Sequence, residues 1–276
     1  MDKKSLAKIK KFAEHIAFNA GKILLDQKRS FSIKKIKDNL LDVATSADYA
    51  SQDYLLNEIS RNFPGHNVQS EEDENQRRKS SDFNWVIDPL DGSKEFIRNM
   101  GYYCVNVSLE YKGELIIGVV YQPELNRLYS TSIFEKSTLN NKEISVSKES
   151  SLKKSLVYIS HTNNEMTEAE INRYFRFFQQ SIPKVYRIRN SPWTIECLYN
   201  VAMGAAEGFV LMPIEKRNPK WWDVASGIIL VTQSGGKITD LSGQNIVNQD
   251  LKNGIIASNV KIHAQLLELV KKANSS

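Results

Sequence analysis

The sequence reads NWVIDPLDGSKEF from residue 84 to residue 96, and this stretch decides the fold around it. An apolar strand ends on Asp88, and a proline-directed turn brings Asp91 beside it. Two carboxylates at a strand end, with the carbonyl of Leu90 between them, make an all-oxygen set of the kind that Mg²⁺ and other hard divalent cations prefer. The stretch therefore predicts a metal site at the end of a buried strand.

Gly92 and Ser93 follow the second carboxylate directly. If a helix begins at Ser93, its free N–H groups and the positive end of its dipole point at whatever the metals hold, which suits a phosphate. Two cations about 3.5–4 Å apart stabilise both the attacking and the leaving oxygen in phosphoryl transfer. The structural alternative is that Asp88-Pro89 and Asp91-Gly92 are only turn-forming dipeptides at the end of a strand.

Two more acidic residues join this pattern. Glu71 lies in a Ser-Glu-Glu segment shortly upstream, and Asp223 follows Trp222 at the start of an apolar helix far downstream. Taken alone, Glu71 is also explained as part of a solvated acidic run over residues 71–74, and Asp223 as a helix N-cap. Taken together with the strand end, they extend the candidate metal ligands to four carboxylates.

The composition is typical of a globular protein with a buried core. The 276 residues are 41% hydrophobic and 25% charged, enough for one large domain or two packed halves. Cys104 and Cys197 lie far apart in apolar stretches, without zinc or disulfide spacing, which favours a reducing compartment. The basic N-terminus shows helical apolar spacing, so we expect a helix there and not a signal peptide, and we expect no transmembrane segment.

The net charge of +5 is spread along the chain. Nucleic-acid binding would need a basic stripe with stacking aromatic residues. The nearest features are Lys34, Lys35 and Lys37 on a loop, and the Arg-Arg-Lys run at residues 77–79, and both are better explained as solvated surface. We therefore expect a small anionic partner and no nucleic acid.

Helices come first along the chain. Apolar residues three or four positions apart predict amphipathic helices over residues 3–28 and 48–63, and Pro64-Gly65 stops the second. Short β-branched and aromatic runs follow, separated by turns such as Lys112-Gly113. These runs predict a largely antiparallel sheet.

From about residue 150 strands and helices alternate, which predicts a layered α/β unit. The predicted elements are strands at SLVYIS, KVYRI, EGFVLM and KITDL, and helices over residues 165–180, 194–206, 223–233 and 259–273. The polar segment from Lys142 to Lys154 is the expected seam. We therefore expect an N-terminal α+β subdomain over residues 1–147, a C-terminal α/β subdomain over residues 148–276, and a cleft between them.

The combined motifs resemble the inositol monophosphatase superfamily of lithium-sensitive, magnesium-dependent sugar and nucleotide phosphatases. The resemblance rests on the Ser-Glu-Glu segment, on DPLDG with SKEF, and on WDVASG from Trp222 onward, which occur in the family's order. It covers most of the chain, since residues 42–48 match the family's Asp-x-x-Thr-x-x-Asp, and GVVYQP from Gly118 and the strand at Gly235-Gly236 match as well. It implies the sugar-phosphatase fold, a five-layer α/β/α/β/α sandwich with an antiparallel N-terminal sheet.

The resemblance also implies a role for each site residue. Two or three Mg²⁺ ions would be held by Glu71, Asp88, Asp91, Asp223 and the carbonyl of Leu90. Catalysis would use Asp48, Glu71 and Ser93, in which Asp48 and the Ser93 hydroxyl position and activate the attacking water and Glu71 shares this work through a metal. The substrate would contact Glu71, Leu90, Asp91, Gly92, Ser93 and Asp223, with Gly92 and Ser93 as the phosphate-binding turn. Thr45 either orients Asp48 or only starts a helix, and no histidine base is needed because metal-bound water is acidified.

The resemblance agrees with the reducing compartment that the cysteines favour. It implies a homodimer in the cytoplasm, with peripheral association at the inner membrane surface left open. The C-terminal subdomain would then carry Asp223 and the pocket that sets substrate specificity.

Residues 94–97 (KEFI) resemble the 3'(2'),5'-bisphosphate nucleotidase branch, because inositol monophosphatases more often carry Thr-Asn-Phe there. VVYQPELNRLYS over residues 119–130 also looks like the nucleotidase form. The implied reaction hydrolyses adenosine 3',5'-bisphosphate to AMP and phosphate. Lys216, Arg217 and Lys220 are candidates for contact with the second phosphate or the base, and ordinary exposed loop charge is the alternative.

The chain departs from the family near residue 194. Relatives place a small Gly-Ser or Gly-Thr pair there, against the non-reacting part of the substrate, whereas this chain has NSPWT over residues 190–194. Trp193 either stacks on a base or fills the space that a nucleotide would need. The family's glycine-rich stretch after residue 132 is also replaced, by FEKST over residues 134–138. The pattern thus indicates the chemistry more directly than the substrate.

Two other functions stay open. The nearer is a phosphatase of the same fold that acts on inositol monophosphate or another sugar phosphate. The other is a non-catalytic nucleotide-binding protein that kept the fold. The complete set of carboxylates argues against the second, because such groups repel one another without cations.

Overall fold

The computed structural model describes residues 2–36, 43–72, 79–160, 165–216, 218–246 and 249–274. Several residues with expected roles lie outside these ranges, namely Lys37, Asp42, Asp73, Glu74, Arg77, Arg78 and Arg217. The chain divides into two compact units, Met1–Lys142 and Glu143–Ser276. The subdomains that end at residue 147 and begin at residue 148 stay a prediction.

The first unit begins with helices and continues as a sheet. α1 spans Lys3–Gln27 and α2 spans Ser46–Asn62, with the antiparallel pair β1 (Ile33–Ile36) and β2 (Val43–Thr45) between them in the chain. The later elements are β3 (Asn67–Ser70), β4 (Phe83–Asp91), α3 (Ser93–Ile97), β5 (Cys104–Tyr111), β6 (Glu114–Gln122), β7 (Arg127–Ser132), β8 (Glu135–Leu139) and β9 (Lys142–Glu143), the last at the boundary of the units.

Strands β3 to β9 form one sheet in chain order. β3 and β4 are parallel, and each pair from β4 to β8 is antiparallel. At the predicted turn between β5 and β6, Lys112 and Gly113 have φ of 52° and 82°, the left-handed backbone of a two-residue hairpin. The prediction of a largely antiparallel sheet is confirmed.

Helix α1 packs closely on this sheet. Its apolar face buries Leu6 and Ile16 in a core that also holds Trp85 of β4, and each such side chain contributes about 1.5–3 kcal/mol by leaving water. A Cβ atom at Gly21 would lie only 2.5 Å from the ring of Tyr121 on β6. Glycine at this position therefore permits the close approach of helix and strand.

The second unit alternates strands and helices, as expected. Its elements are β10 (Leu156–Ser160), α4 (Glu168–Ser181), β11 (Arg187–Asn190), α5 (Thr194–Ala202), β12 (Gly208–Leu211), α6 (Trp221–Gln233), β13 (Gly236–Thr239), β14 (Ile255–Asn259) and α7 (Val260–Asn274). The sheet order is β11-β10-β12-β14-β13, with β10 parallel to β11 and β12 and with β14 antiparallel to both of its neighbours. Helices α4 and α7 share one apolar core with β10, β12 and β14.

Two strands of the second unit differ from the predictions. The strand expected at KVYRI lies at Arg187–Asn190, because β11 pairs with β10 in the register Leu156 to Arg187. Strand β14 was not predicted, because its apolar run is short and leads directly into α7. Among the described residues, every helix is too short or too polar to cross a lipid bilayer.

Candidate active site

A β-bulge shapes the end of β4. Asp88 pairs with Asn106 of β5, whereas Asp91 pairs with Cys104. Between these two pairs β4 advances by three residues and β5 by two, so β4 contains one extra residue. Since side chains alternate along a strand, the extra residue returns Asp91 to the face that Asp88 occupies. Pro89 is tolerated here because a bulge leaves ladder positions unpaired.

Short-range bonds hold this bulge. Asp88 is buried, with 1% of its surface exposed, and its Oδ1 accepts the Leu90 N–H at 3.0 Å, which is the turn that Asp side chains favour. Ser51 of α2 donates its hydroxyl to the carbonyl of Pro89 at 2.8 Å. The turn is therefore fixed from its own strand and from the neighbouring helix.

Asp48 occupies the first turn of α2. Thr45 is the N-cap, and its N–H and hydroxyl both donate to Asp48 Oδ2, at 2.8 and 2.6 Å. The Thr45 hydroxyl also accepts the Ala47 N–H at 3.1 Å. Both roles considered for Thr45 are thus present, since it starts the helix and orients the carboxylate.

Ser93 links Asp48 to the β4 turn. Its hydroxyl lies 2.9 Å from Asp48 Oδ1 and 3.0 Å from the Leu90 carbonyl oxygen. A serine hydroxyl has a single proton for these two acceptors. Burial raises the pKa of Asp48, against the hydrogen bonds from Thr45 and Ser93, and the negative charge of Glu71 raises it further.

Gly92 precedes this serine in a conformation that suits glycine. Its φ is 96°, and a Cβ atom would lie 2.7 Å from the carbonyl oxygen of Tyr102. Helix α3 then begins at Ser93, the helix start that a phosphate-binding turn here requires, and the Phe96 N–H donates to the Gly92 carbonyl at 2.8 Å. The turn leaves no room for a larger residue at position 92.

Glu71 follows the last residue of β3. Because β3 and β4 are parallel and Ser70 pairs with Ile87, Glu71 lies at the level of Asp88 on the same sheet edge. Its N–H donates to the Ile87 carbonyl at 3.4 Å. The first unit therefore gathers the candidate residues from β3, β4, α2 and α3 at one edge.

Asp223 lies in the second unit, at the third position of α6. Its Oδ2 accepts the Lys220 N–H at 2.7 Å. Lys220 is the N-cap of α6, so Asp223 is not the N-cap that was its structural alternative, but it stabilises the helix start from the third position. Its side chain is half-buried. Its proposed role as a metal ligand stays a prediction.

The donors at the sheet edge fit a hard cation. They are carboxylate and carbonyl oxygens, the ligands that Mg²⁺ takes in proteins. Over the described ranges, no three His, Cys, Asp or Glu side chains converge closely enough to hold a metal ion between them. Mg²⁺ commonly uses only one or two protein carboxylates and completes its shell with water and substrate phosphate. Paired carboxylates beside a carbonyl are therefore a sufficient donor set.

The altered segment at residues 190–194 makes contacts within its own unit. Trp193 is 6% exposed, and its ring meets Tyr199 edge-to-face at 6.1 Å. Asn190 donates to the Tyr174 hydroxyl, and Ser191 donates to Glu196 at 2.7 Å. Of the two roles considered for Trp193, its burial favours filling space over offering a face to a base.

Some contacts around the site were missed from sequence. Ser51 lies in a polar stretch of α2, where nothing distinguishes it from its neighbours. Asn106 donates to Asp91 Oδ2 at 3.0 Å, and a signal for it exists, because it is a lone amide within the apolar run YYCVNVSLEY. Such a residue inside a strand needs a partner.

The sequence and the fold of this chain are similar to those of known proteins. A sequence model of the inositol monophosphatase family matches residues 5–275. Inositol-1-monophosphatase of Synechocystis sp. is 32% identical over 226 residues, which cover 82% of this chain and 75% of that protein. A putative Nus factor SuhB of Neisseria meningitidis serogroup B is 29% identical over 230 residues, which cover 83% and 84%. The structure of inositol monophosphatase from Anabaena has a TM-score of 0.81 and 26% identity over 97% of both chains. The expected layered α/β fold class is confirmed.

Proposed function

The chain belongs to the inositol monophosphatase family, and on that premise we propose that it is a Mg²⁺-dependent phosphomonoesterase of a small phosphorylated metabolite. One observation carries the proposal. The β4 bulge sets Asp88 and Asp91 on one face of a strand end, beside the hydrogen bond between Ser93 and Asp48. Carboxylates for a cation, and a paired hydroxyl and carboxylate for a water, are the parts that metal-assisted phosphate hydrolysis needs.

The proposed ligands are Glu71, Asp88, Asp91 and the Leu90 carbonyl, shared among more than one cation. Asp223 is kept as a further ligand on the resemblance alone. When bound, Mg²⁺ polarises phosphoryl oxygens and neutralises the charge that develops in the transition state. The number of ions, two or three, also rests on the resemblance.

Asp48 and Ser93 are the proposed proton acceptors. The Ser93 hydroxyl donates to Asp48 Oδ1 at 2.9 Å, so Ser93 Oγ can accept a proton from an attacking water as its own proton moves to the carboxylate. The raised pKa of Asp48 makes this carboxylate a stronger base than an exposed aspartate. Gly92 and Ser93 would offer the phosphate their backbone N–H groups.

Inositol monophosphate or a related sugar phosphate is the proposed substrate. The relative from Synechocystis is named for inositol-1-phosphate chemistry. The buried ring of Trp193 also removes the base-stacking platform that a nucleotide would use. A cytoplasmic location and a homodimer are retained as proposals that rest on the resemblance.

Adenosine 3',5'-bisphosphate is the second candidate. The observation in its favour is the KEFI sequence at residues 94–97, which resembles the bisphosphate nucleotidase branch.

A non-catalytic role is the third candidate, and it rests on the similarity to a protein named as a putative Nus factor. The Ser93–Asp48 pair supplies the hydroxyl and carboxylate that activation of a water needs, which favours the enzyme.

The test is phosphate release in the presence of Mg²⁺ from inositol 1-phosphate, fructose 1,6-bisphosphate and adenosine 3',5'-bisphosphate at equal concentrations. Preference for inositol 1-phosphate or the sugar supports the proposal, and added lithium should then reduce the rate. Preference for the nucleotide would move the assignment to the second candidate. No release from any substrate would support the non-catalytic role.

A further inference from the structure

Asn106 is a polar side chain in the middle of a buried strand. It is 1% exposed, and its neighbours on β5, Val105 and Val107, are fully buried. An amide in such surroundings costs free energy unless its N–H and C=O groups are hydrogen-bonded. Both of its groups therefore need partners.

The side chain finds its partners at the β4 bulge. Its Nδ2 donates to Asp91 Oδ2 at 3.0 Å, and its Oδ1 accepts from the Cys104 thiol at 3.4 Å. The carboxylate only accepts and the thiol donates, so these neighbours fix which way the amide faces. Asn106 is also the residue that pairs with Asp88 in the ladder. It thus contacts the Asp91 carboxylate and lies opposite Asp88 in the ladder.

The same two strands carry a second pair of this kind. Asn84 of β4 donates its Nδ2 to Glu110 Oε2 of β5 at 2.8 Å, and the two residues pair in the ladder. Glu110 is not a candidate ligand, and the β4–β5 ladder is regular at this pair, while the register of β5 with β6 shifts between Leu109 and Glu110. The Asn84 bond therefore serves as a control, in which an asparagine–carboxylate pair stabilises the sheet without contacting a candidate ligand.

We infer that Asn106 is a positioning residue that fixes the orientation of the Asp91 carboxylate for cation binding. This inference rests on the proposed function, because it needs Asp91 to be a Mg²⁺ ligand. A carboxylate whose plane is already fixed loses less rotational freedom when it binds a cation. Partners that orient a ligand in this way are commonly worth 10–100-fold in metal affinity.

The test compares Asn106→Leu with Asn84→Leu, since leucine keeps the approximate size of asparagine and removes its hydrogen bonds. Mg²⁺ binding is measured by isothermal titration calorimetry on the whole chain, and the free energy of unfolding by urea without Mg²⁺. We expect the Mg²⁺ Kd of Asn106→Leu to rise roughly 10–100-fold and that of Asn84→Leu to stay at the wild-type value. In Asn106→Leu, saturating Mg²⁺ should restore kcat, because Asn106 acts only through Asp91.

An unchanged Kd in Asn106→Leu would overturn the inference, and so would an equal rise in both variants, since that indicates a general effect of sheet stability. If Asn106→Leu does not fold, Asn106→Ser replaces it, and the same rise in Kd is expected because a serine hydroxyl is too short to reach Asp91. Wild-type protein that binds no Mg²⁺ would contradict the proposed function itself. Wild-type binding with an unaffected Asn106 variant contradicts only the positioning role.

Discussion

Helices α2 and α6 begin in the same way, although they lie in different units. Each has an aspartate at its third position, Asp48 and Asp223, whose carboxylate accepts the backbone N–H three residues earlier, at 2.8 and 2.7 Å. This bond satisfies an N–H that the helix itself leaves without a partner. Both aspartates therefore stabilise a helix start, whatever chemistry they perform.

The difference between the two lies in what surrounds them. Asp48 is 1% exposed and also accepts hydrogen bonds from the hydroxyls of Thr45 and Ser93, whereas Asp223 is half-buried. A buried carboxylate with a raised pKa is costly for folding, and such costs are frequent at functional sites. The capping geometry alone thus cannot separate a structural aspartate from a catalytic one, and the additional contacts can.

Of the two compared aspartates, Asp48 should show the larger effect when asparagine replaces it. Turnover should fall roughly 10²–10⁴-fold, because an amide cannot take up the proton that Ser93 passes on. The amide oxygen can still accept the Thr45 N–H, so α2 should persist in the circular dichroism spectrum. The matched control is Asp53→Asn, an exposed aspartate of the same helix, which should leave kcat unchanged. Near wild-type turnover in Asp48→Asn would make Asp48 a purely structural residue.

Asp223→Asn should have the smaller effect of the two. If Asp223 is a metal ligand, the Mg²⁺ concentration for half-maximal activity should rise roughly 10–100-fold, measured by phosphate release across a Mg²⁺ series. Asp250→Asn, at an exposed position of the same unit, is the control and should behave as wild type. An unchanged Mg²⁺ requirement in Asp223→Asn would leave this aspartate only its role at the helix start.

Thr45→Ala should cost stability at the start of α2. The variant loses the N-cap bond to the Ala47 N–H and the hydroxyl bond to Asp48, and the free energy of unfolding should fall by about 0.5–2 kcal/mol. Urea unfolding measures the change. Thr45→Ser keeps the hydroxyl and should recover most of the loss. Equal losses in both variants would show that the methyl group matters more than the cap.

The smallest expected effect is a pH dependence of stability. Burial raises the pKa of Asp48 above its ordinary value of 3.8, so its contribution to stability is complete below pH 3.8 and declines as pH rises through the raised value. The amide introduced by Asp48→Asn stays neutral throughout, and the free energy of unfolding of this variant minus that of wild type should therefore grow with pH. Urea unfolding without Mg²⁺ at a series of pH values measures this difference. A difference that stays constant with pH would contradict the raised pKa.

Much of the site followed from local sequence because its signals are local. The strand that ends near Asp88, the helix that begins at Ser93 and the position of Glu71 after a short strand depend on residues close in the chain. The bulge that returns Asp91 to the face of Asp88 was not predictable, because it depends on the register with β5. The contacts of Ser51 and Asn106 arise from long-range packing and pairing, which single-sequence periodicity does not contain.

The most direct test of the account is phosphate release by wild type, Asp91→Asn and Asp82→Asn across a Mg²⁺ series, with the preferred substrate of the panel. Asp82 precedes β4 and has an exposed side chain paired with Lys112 at 3.7 Å, so its substitution controls for the loss of one carboxylate. We predict Mg²⁺-dependent release by wild type and Asp82→Asn, and none above background by folded Asp91→Asn. Equal release by Asp91→Asn, or full release by wild type without a divalent cation, would contradict this prediction.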